Sequence, residues 1–290
     1  MWLIYALGGG WGHLTRAVAL ARAARNVRVL TNSPYAAIVA RAMPELDLAI
    51  IPAQTPLEEA RHAAVQVVRD SSPKVLIVDT FPRGLGGELS PLLAAIPARK
   101  VLVHRDVNPR YIASAGLQQF VKDHYDLVLV PGPGEEAYFE HELTAPWLVR
   151  NANELRGGVP GGVLVCASGM PSEFEWYRAV ASLLSTEISQ YWPAIDRYAE
   201  ASVVVGGGGY NTVEECLACG VPLVARAWPR TYDRQARRLS RASQRGRVVQ
   251  VHAVEEAARA ALAEIRPGPR APATFINGTV EAVRRIEGLL

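Results

Sequence analysis

Short apolar runs of four to six residues, rich in β-branched side chains, alternate with longer stretches of helical periodicity along this chain. In the first half the runs are Leu3–Leu7, Val27–Thr31, Leu48–Ile51, Val75–Asp79, Lys100–His104 and Leu127–Val130. Helical patterns fall between several of them, near Leu14 to Ala24, Pro34–Ala42 and Leu57–Asp70. The runs are continuous rather than alternating, as strands covered on both faces are. Strand and helix in strict succession call for right-handed βαβ crossovers and an open, doubly wound parallel sheet.

The pattern then restarts. Strands Val163–Ala167, Ser202–Val205, Val221–Ala225 and Val248–Val251 are interleaved with helices from about Glu173 to Leu184, at Thr212–Ala218 and at Val254–Glu264, and a last helix covers Val280–Leu289. The chain has 290 residues, which at roughly 100–200 residues per domain accommodates two. Between the halves, Pro146 to Gly162 carries Pro146, Gly157, Gly158, Pro160, Gly161 and Gly162, with little to place in a core. The reading is a first domain over 1–148, a linker over 149–161 and a second domain over 162–290. Only four strands are expected in the second domain, because the segment from Leu184 to Ser202 is too short for a further strand and helix.

The net charge is only +3, and three of the 31 basic residues are lysines (Lys74, Lys100, Lys122). An excess this small argues against nucleic acid as a partner. The arginines suit flat, bidentate grips on phosphate or carboxylate. Eight of them fall between Arg226 and Arg247, as either a solvated helix face or an anion-binding or membrane-facing surface. Three cysteines, an odd and low number, fit a reducing cytoplasm rather than a disulfide framework. The apolar start Met1–Leu7 is too short for a signal peptide, and no run reaches the ~20 residues of a membrane span. Cys216 and Cys219 are expected to pack in a helix, and with no Asp-x-Asp pair the sequence offers no metal ligand set.

The strongest local signal is Val203-Val204-Val205-Gly206-Gly207-Gly208-Gly209-Tyr210-Asn211-Thr212-Val213-Glu214-Glu215. A buried strand enters four glycines and opens a helix. Glycine lets backbone approach a ligand closely, and a helix N-terminus favours a phosphate. The same arrangement also serves a turn that merely packs strand on helix. Asn211 or Thr212 is expected to cap the helix. Glu214 and Glu215 then fall in its first turn, suited either to the dipole or, for Glu214, to a hydroxyl pair such as a ribose diol. A second signal, Leu7-Gly8-Gly9-Gly10-Trp11-Gly12-His13-Leu14-Thr15-Arg16, again ends a strand in glycines. It places His13 at a helix entry on the C-terminal edge of the sheet, where open α/β sheets bind ligands and where a histidine can take a hydroxyl proton. Arg16, one turn on, is available to an anion. Asp79 ends a strand at the same edge, either facing the site or tying a loop. Ser168-Gly169 follows another strand, and Asp233 and Gln235 follow Val221–Ala225, offering an acceptor and an amide to sugar hydroxyls. Neither glycine loop is a dehydrogenase fingerprint or a P-loop: no acidic residue closes a second strand about twenty positions on, and no Gly-Lys-Ser/Thr follows.

Together these residues resemble the glycosyltransferases of the GT-B fold, in the branch that contains the lipid-linked N-acetylglucosaminyltransferase of peptidoglycan synthesis. Gly12-His13 with Arg16 resembles that family's N-terminal loop. Gly206–Gly209, Thr212 and Glu214 resemble its donor-site loop and helix, and Pro222, Pro229, Asp233 and Gln235 the stretch that follows. Gly10-Trp11-Gly12-His13-Leu14-Thr15-Arg16 is also similar to the loop of UDP-sugar hydrolases of nonulosonic acid synthesis. The resemblance implies two Rossmann-like domains facing a cleft, the second one shortened, since six strands are usual there. Tyr191-Trp192-Pro193 would rebuild part of the base pocket, and the last helix would pack back on the first domain. It implies a nucleotide-sugar donor, UDP-sugar by preference, an acceptor of unknown identity, and no metal or other cofactor. His13 and Asp79 would be catalytic. The donor would be bound by Gly12, Arg16, Ser168, Gly169, Gly207, Gly208, Gly209, Asn211, Thr212, Glu214, Asp233 and Gln235. Hydrolysis of the same donor, or binding without turnover, are the alternatives.

Overall fold

The computed structural model describes residues 1–133, 138–155, 161–265 and 271–290. The chain divides into two compact units, Met1–Trp147 with Gly278–Leu290, and Leu148–Asn277.

The first unit holds strands β1 (Trp2–Ala6), β2 (Val27–Thr31), β3 (Asp47–Ile50), β4 (Val75–Asp79), β5 (Arg99–Val103), β6 (Leu127–Pro131) and β7 (Glu142–Thr144). Its helices are α1 (Trp11–Ala23), α2 (Ala36–Ala42), α3 (Leu57–Ser71), α4 (Ser90–Ala95), α5 (Pro109–Ser114) and α6 (Leu117–His124). The seven strands pair in parallel in the order β3-β2-β1-β4-β5-β6-β7. The chain winds outward from β1 to β3, then returns to the other side of β1 with β4. That reversal opens a crevice at the C-terminal ends of β1 and β4, the place where such sheets bind ligands. Leu3, Tyr5 and Leu7 pack with Ala60, Ala64 and Val68 of α3 and Leu92 and Leu93 of α4. Trp2, Ile4 and Ala6, between them in sequence, are buried as well, so β1 reads as one unbroken apolar run.

The second unit holds β8 (Gly161–Cys166), β9 (Ile188–Ser189), β10 (Ala201–Gly207), β11 (Leu223–Arg226) and β12 (Val248–Val251). With them are helices α7 (Phe174–Leu183), α8 (Ala194–Glu200), α9 (Tyr210–Cys219), α10 (Gln235–Ala242) and α11 (Val254–Glu264). Its parallel order is β12-β11-β10-β8-β9, with the reversal between β8 and β10. Val204 packs on one face with Val213 and Leu239, while Val203 and Val205 pack on the other with Tyr177 and Ala257. Both faces are therefore covered, as in a doubly wound sheet. The last helix, α12 (Thr279–Glu287), lies in the first unit against α1.

Two expectations are corrected here. The segment from Leu184 to Ser202 does carry a further strand and helix: β9 needs only two paired residues and α8 only seven. The stretch from Pro146 does supply core residues. Trp147, Leu148 and Val149 are all buried, and Leu148 joins the cluster around Val204. Gly157, Gly158 and Pro160, expected in the linker, lie outside the described residues.

Candidate functional site

In the first unit the crevice between β1 and β4 gathers His13, Arg16 and Asp79. His13 and Arg16 are three apart on α1, so they share one face of the helix. Asp79 is the last residue of β4. Arg16 donates to Asp79 from Nε to Oδ1 at 2.7 Å and from Nη2 to Oδ2 at 2.6 Å. Nη2 also reaches Thr80 Oγ1 at 3.2 Å. His13 Nδ1 lies 2.5 Å from Asp79 Oδ2. Arg16 is only 1% exposed. It was expected to hold a ligand anion; the structure commits its guanidinium to Asp79, because a buried cation must be paired.

Burial alone would raise the Asp79 carboxyl, but the Arg16 guanidinium and His13 beside it hold it well below the usual carboxylate range. Asp79 is thus ionised and accepts the hydrogen bond from His13 Nδ1–H. That fixes the tautomer and leaves Nε2 with its lone pair. Burial pushes the His13 pKa down and outweighs the pull of Asp79, with the charges of Arg16 and Arg105 adding to the fall. Near neutral pH His13 is therefore an uncharged base oriented by a carboxylate.

The local backbone is built around this ring. Gly8 has φ +151°, and a side chain there would place its Cβ 2.4 Å from His13 Cδ2. Only glycine both adopts this turn and admits the imidazole. Gly8 N–H donates to Asn32 Oδ1 at 2.9 Å. Helix α1 begins at Trp11 with Gly10 as its cap, so Gly12, expected in a loop, sits in the first turn and His13 one residue inside it. Thr80 carries φ +70° directly after Asp79, a strained conformation of the kind stored at functional sites. Phe81 stacks on the His13 ring at 5.7 Å.

In the second unit the crevice lies between β8 and β10. Helix α9 begins at Tyr210 with Gly209 as its cap, and no side chain caps it. Asn211 and Thr212 are thus half-buried residues of the first turn, not caps. Glu214 and Glu215 fall a turn later than expected, because the strand ends at Gly207 and two glycines suffice to open the helix. Gly206, Gly207 and Gly208 are buried. A Cβ on Gly207 would meet Tyr177 Oη at 3.1 Å, and one on Gly208 would meet Gln235 Cβ at the same distance. These glycines let strand and side chains pack closely, and Gly209 is the one with open space around it.

Other expected donor residues are tied into the fold. Glu214 is buried and takes paired hydrogen bonds from Arg245 at 2.7 and 2.8 Å, so its carboxylate is committed to the turn between α10 and β12. Asp233 accepts from Arg238 Nη2 at 2.8 Å, and Gln235 Oε1 accepts from Trp228 N–H at 2.9 Å. Both therefore organise the loop between β11 and α10. Ser168 lies near the Tyr177 hydroxyl, which accepts from Trp228 Nε1 at 3.0 Å. Gly169, at φ +113°, has the Glu173 carboxylate against it, and Glu173 is gripped by Arg230 at 2.5 and 2.8 Å.

Several residues here carry no signal in the sequence. Glu173, Tyr177 and Trp228 meet at this edge only through the crossover of α7. Arg226 lies over Trp228 at 4.2 Å. Burial pushes the Glu215 carboxyl up to about 8, and the nearby Asp196 adds to the rise.

Neither a protein-family model nor a curated protein sequence matches the chain. Solved structures do. The glycosyltransferase SnogD from Streptomyces nogalater aligns over 100% of both chains with a TM-score of 0.64 at 13% identity. MurG of Acinetobacter baumannii aligns over 99% of both, with a TM-score of 0.59 at 11% identity. The spinosyn rhamnosyltransferase SpnG, solved with thymidine diphosphate, aligns over 99% of this chain and 95% of its own, with a TM-score of 0.56 at 16% identity. At this level of identity the likeness speaks to architecture, and on that ground the chain has the GT-B fold of these glycosyltransferases, built from two Rossmann-like units.

Proposed function

We propose that this protein transfers a glycosyl group from a nucleotide-diphosphate sugar to an acceptor hydroxyl, with His13 as the general base. The observation that carries the reading is the buried Arg16–Asp79–His13 relay at the β1/β4 crevice, in a chain with a glycosyltransferase fold. In the proposed step the acceptor oxygen bonds to the anomeric carbon as that carbon's bond to the diphosphate oxygen breaks. The diphosphate leaves with the electron pair, and the acceptor proton passes to His13 Nε2. One base and one displacement give inversion. Asp79 keeps the ring in the acceptor tautomer and stabilises the imidazolium that forms.

The second unit is assigned the donor. The N-terminal end of α9, with Gly209 open and Asn211 and Thr212 in its first turn, is assigned to the growing charge of the leaving diphosphate, so that the reaction would need no metal ion. Ser168 and Gly169 complete that edge, and Asp233 and Gln235 hold its loop in shape. The bound thymidine diphosphate of SpnG puts dTDP-sugars beside UDP-sugars as donors to test.

A thermal-shift panel of UDP-, dTDP-, GDP- and CDP-sugars identifies the donor, since a ligand of the native state raises apparent stability by mass action. With that donor, His13→Ala is expected to lower kcat by about 10²–10⁴-fold while donor binding persists. Full turnover by His13→Ala would end the base assignment. Release of free sugar at one rate, whatever acceptor is supplied, would replace transfer by hydrolysis.

A further inference from the structure

Arg226 is the last residue of β11 and pairs in register with Gly207 of β10. Its carbonyl accepts from Gly208 N–H at 3.1 Å, so its backbone abuts the glycines that open α9. Val224, two residues earlier, packs with Tyr177 and Ala257. Side chains alternate along a strand, so Arg226 points to the same face, toward α7 and α11 and away from α9. There its guanidinium carbon lies 4.2 Å from the centre of the Trp228 ring and 5.6 Å from that of Trp176. The rings are themselves fixed. Trp228 Nε1 donates to the Tyr177 hydroxyl and its backbone N–H to Gln235, and Trp176 meets Trp228 edge-on at 5.8 Å.

Stacking uses the face of a guanidinium and leaves the N–H groups in its plane to other partners. In the same stretch of chain Arg230 holds Glu173, Arg238 holds Asp233 and Arg245 holds Glu214. Arg226 is built differently: it is half-buried, and among the described residues its guanidinium makes ring contacts alone. On the β12 side, where Arg226 pairs with Val251, Glu256 commits its carboxylate to the backbone N–H groups of His252 and Ala253. The indole N–H of buried Trp176, beside the guanidinium, also has no hydrogen-bond acceptor among the described residues. A polar group left so calls for an explanation. Both unmet groups are donors, and the complement of a cation with open donors is an acceptor with negative charge, a phosphate or a carboxylate. A guanidinium already held on aromatic faces loses little further freedom when it binds one, and the C-terminal end of a parallel strand is where such sheets take ligands. The α9 terminus offers only about half an elementary charge, so a full cation at the same edge adds to it.

Resting on the donor assignment above, we infer that Arg226 binds an oxyanion of the nucleotide-sugar, from its diphosphate or from a carboxylate on its sugar, through the open N–H edge of the stacked guanidinium.

Calorimetry on the full chain tests this with UDP, dTDP, GDP and CDP, each beside its nucleoside, and with UDP-glucose and UDP-glucuronate. Arg226→Gln removes the charge and the fork. It is expected to weaken the anion that wild type binds by about 10- to 100-fold and to leave nucleoside binding unchanged. Arg226→Lys, which keeps the charge without the fork, is expected to fall between the two. A loss already present with the nucleoside diphosphate assigns Arg226 to the diphosphate. A loss with UDP-glucuronate alone, UDP and UDP-glucose being unchanged, assigns it to a sugar carboxylate. Equal affinity of wild type and Arg226→Gln for every anion overturns the inference, as does a nucleoside weakened as much as its diphosphate or a wild type that binds none of the anions. Should Arg226→Gln fail to fold, Arg226→Lys takes its place, and unchanged affinity for every anion overturns the inference there too. The two readings fail separately. Binding through Arg226 with neither glycoside nor free sugar formed from any nucleotide-sugar, by mass spectrometry, keeps the oxyanion site and removes transfer. Transfer by Arg226→Gln at wild-type kcat and KM keeps transfer and removes the oxyanion site.

Discussion

Replacing Asp79 by asparagine changes one atom and removes one charge from a buried network. Asp79 receives two hydrogen bonds from Arg16, at 2.6 and 2.7 Å, and lies 2.5 Å from His13 Nδ1. Asparagine has a single acceptor oxygen, and its amide N–H groups face donors. Arg16, at 1% exposure, cannot turn to water and loses the carboxylate that receives two of its hydrogen bonds. Breaking such a pair from one side costs about 3–5 kcal/mol. For a domain of roughly 150–250 residues each kcal/mol moves Tm by about 2–4 °C, so the melting of the first unit falls by roughly 6–20 °C. The sign with pH follows from the Asp79 carboxyl being held below its unfolded range. Its contribution is fully present above the unfolded value of about 3.9 and fades as pH falls through the lower folded value. The difference between wild type and Asp79→Asn is therefore level at neutral pH and above, where His13 is neutral in both proteins, on the order of the 3–5 kcal/mol above, and closes in strong acid. Circular-dichroism melts at several pH values measure it. Removing both charges in Arg16→Met/Asp79→Asn recovers at least about 2 kcal/mol of the summed single effects. A single-variant loss under about 1 kcal/mol, or a double variant as unstable as the sum, refutes the idea that Asp79 exists to hold a buried arginine and a histidine.

Three further predictions follow from the same geometry. Gly8→Ala drives a Cβ to within 2.4 Å of His13 Cδ2 and displaces the base; kcat is expected to fall by ~10²-fold, with a stability loss of about 1–3 kcal/mol, and wild-type kinetics would clear Gly8 of any role. Because the His13 pKa is lowered from 6.5 by burial and the neutral ring is the active form, kcat/KM is expected to stay level through neutral pH and to fall only in acid, below that value; an acid limb above it contradicts the assignment. The Glu215 carboxyl is raised by burial to about 8, above its unfolded value, so the second unit loses stability as pH rises from about 4.5 toward 8. Glu215→Gln removes that loss and is expected to be more stable than wild type by at least about 1 kcal/mol at pH 8, as denaturant titrations at pH 5 and pH 8 will read; identical curves at both pH values would count against it.

Much of the architecture is legible in the residue order. Runs such as Val75–Asp79 and Val203–Val205 are apolar without interruption because both faces of a parallel strand are covered, and that alone implies crossover helices and two doubly wound sheets. The same logic puts His13, Asp79, Gly169 and Gly209 at strand ends, since a ligand edge follows from the chain reversing beside the first strand of each unit. Side-chain partnership is not local information. Arg16 and Asp79 are separated by 63 positions, and only pairing β1 with β4 brings them together to orient His13. Glu214 looked free for a ligand until the turn between α10 and β12 delivered Arg245 to it, and Gly207 and Gly208 looked like ligand-facing backbone until Tyr177 and Gln235 closed over them. β9 escaped notice because two residues carry no periodicity and become a strand only when β8 lies beside them. The succession of strands and helices follows from hydrophobic patterning along the chain; which strands lie side by side, which charges meet, and which glycines stay open follow from long-range packing in three dimensions.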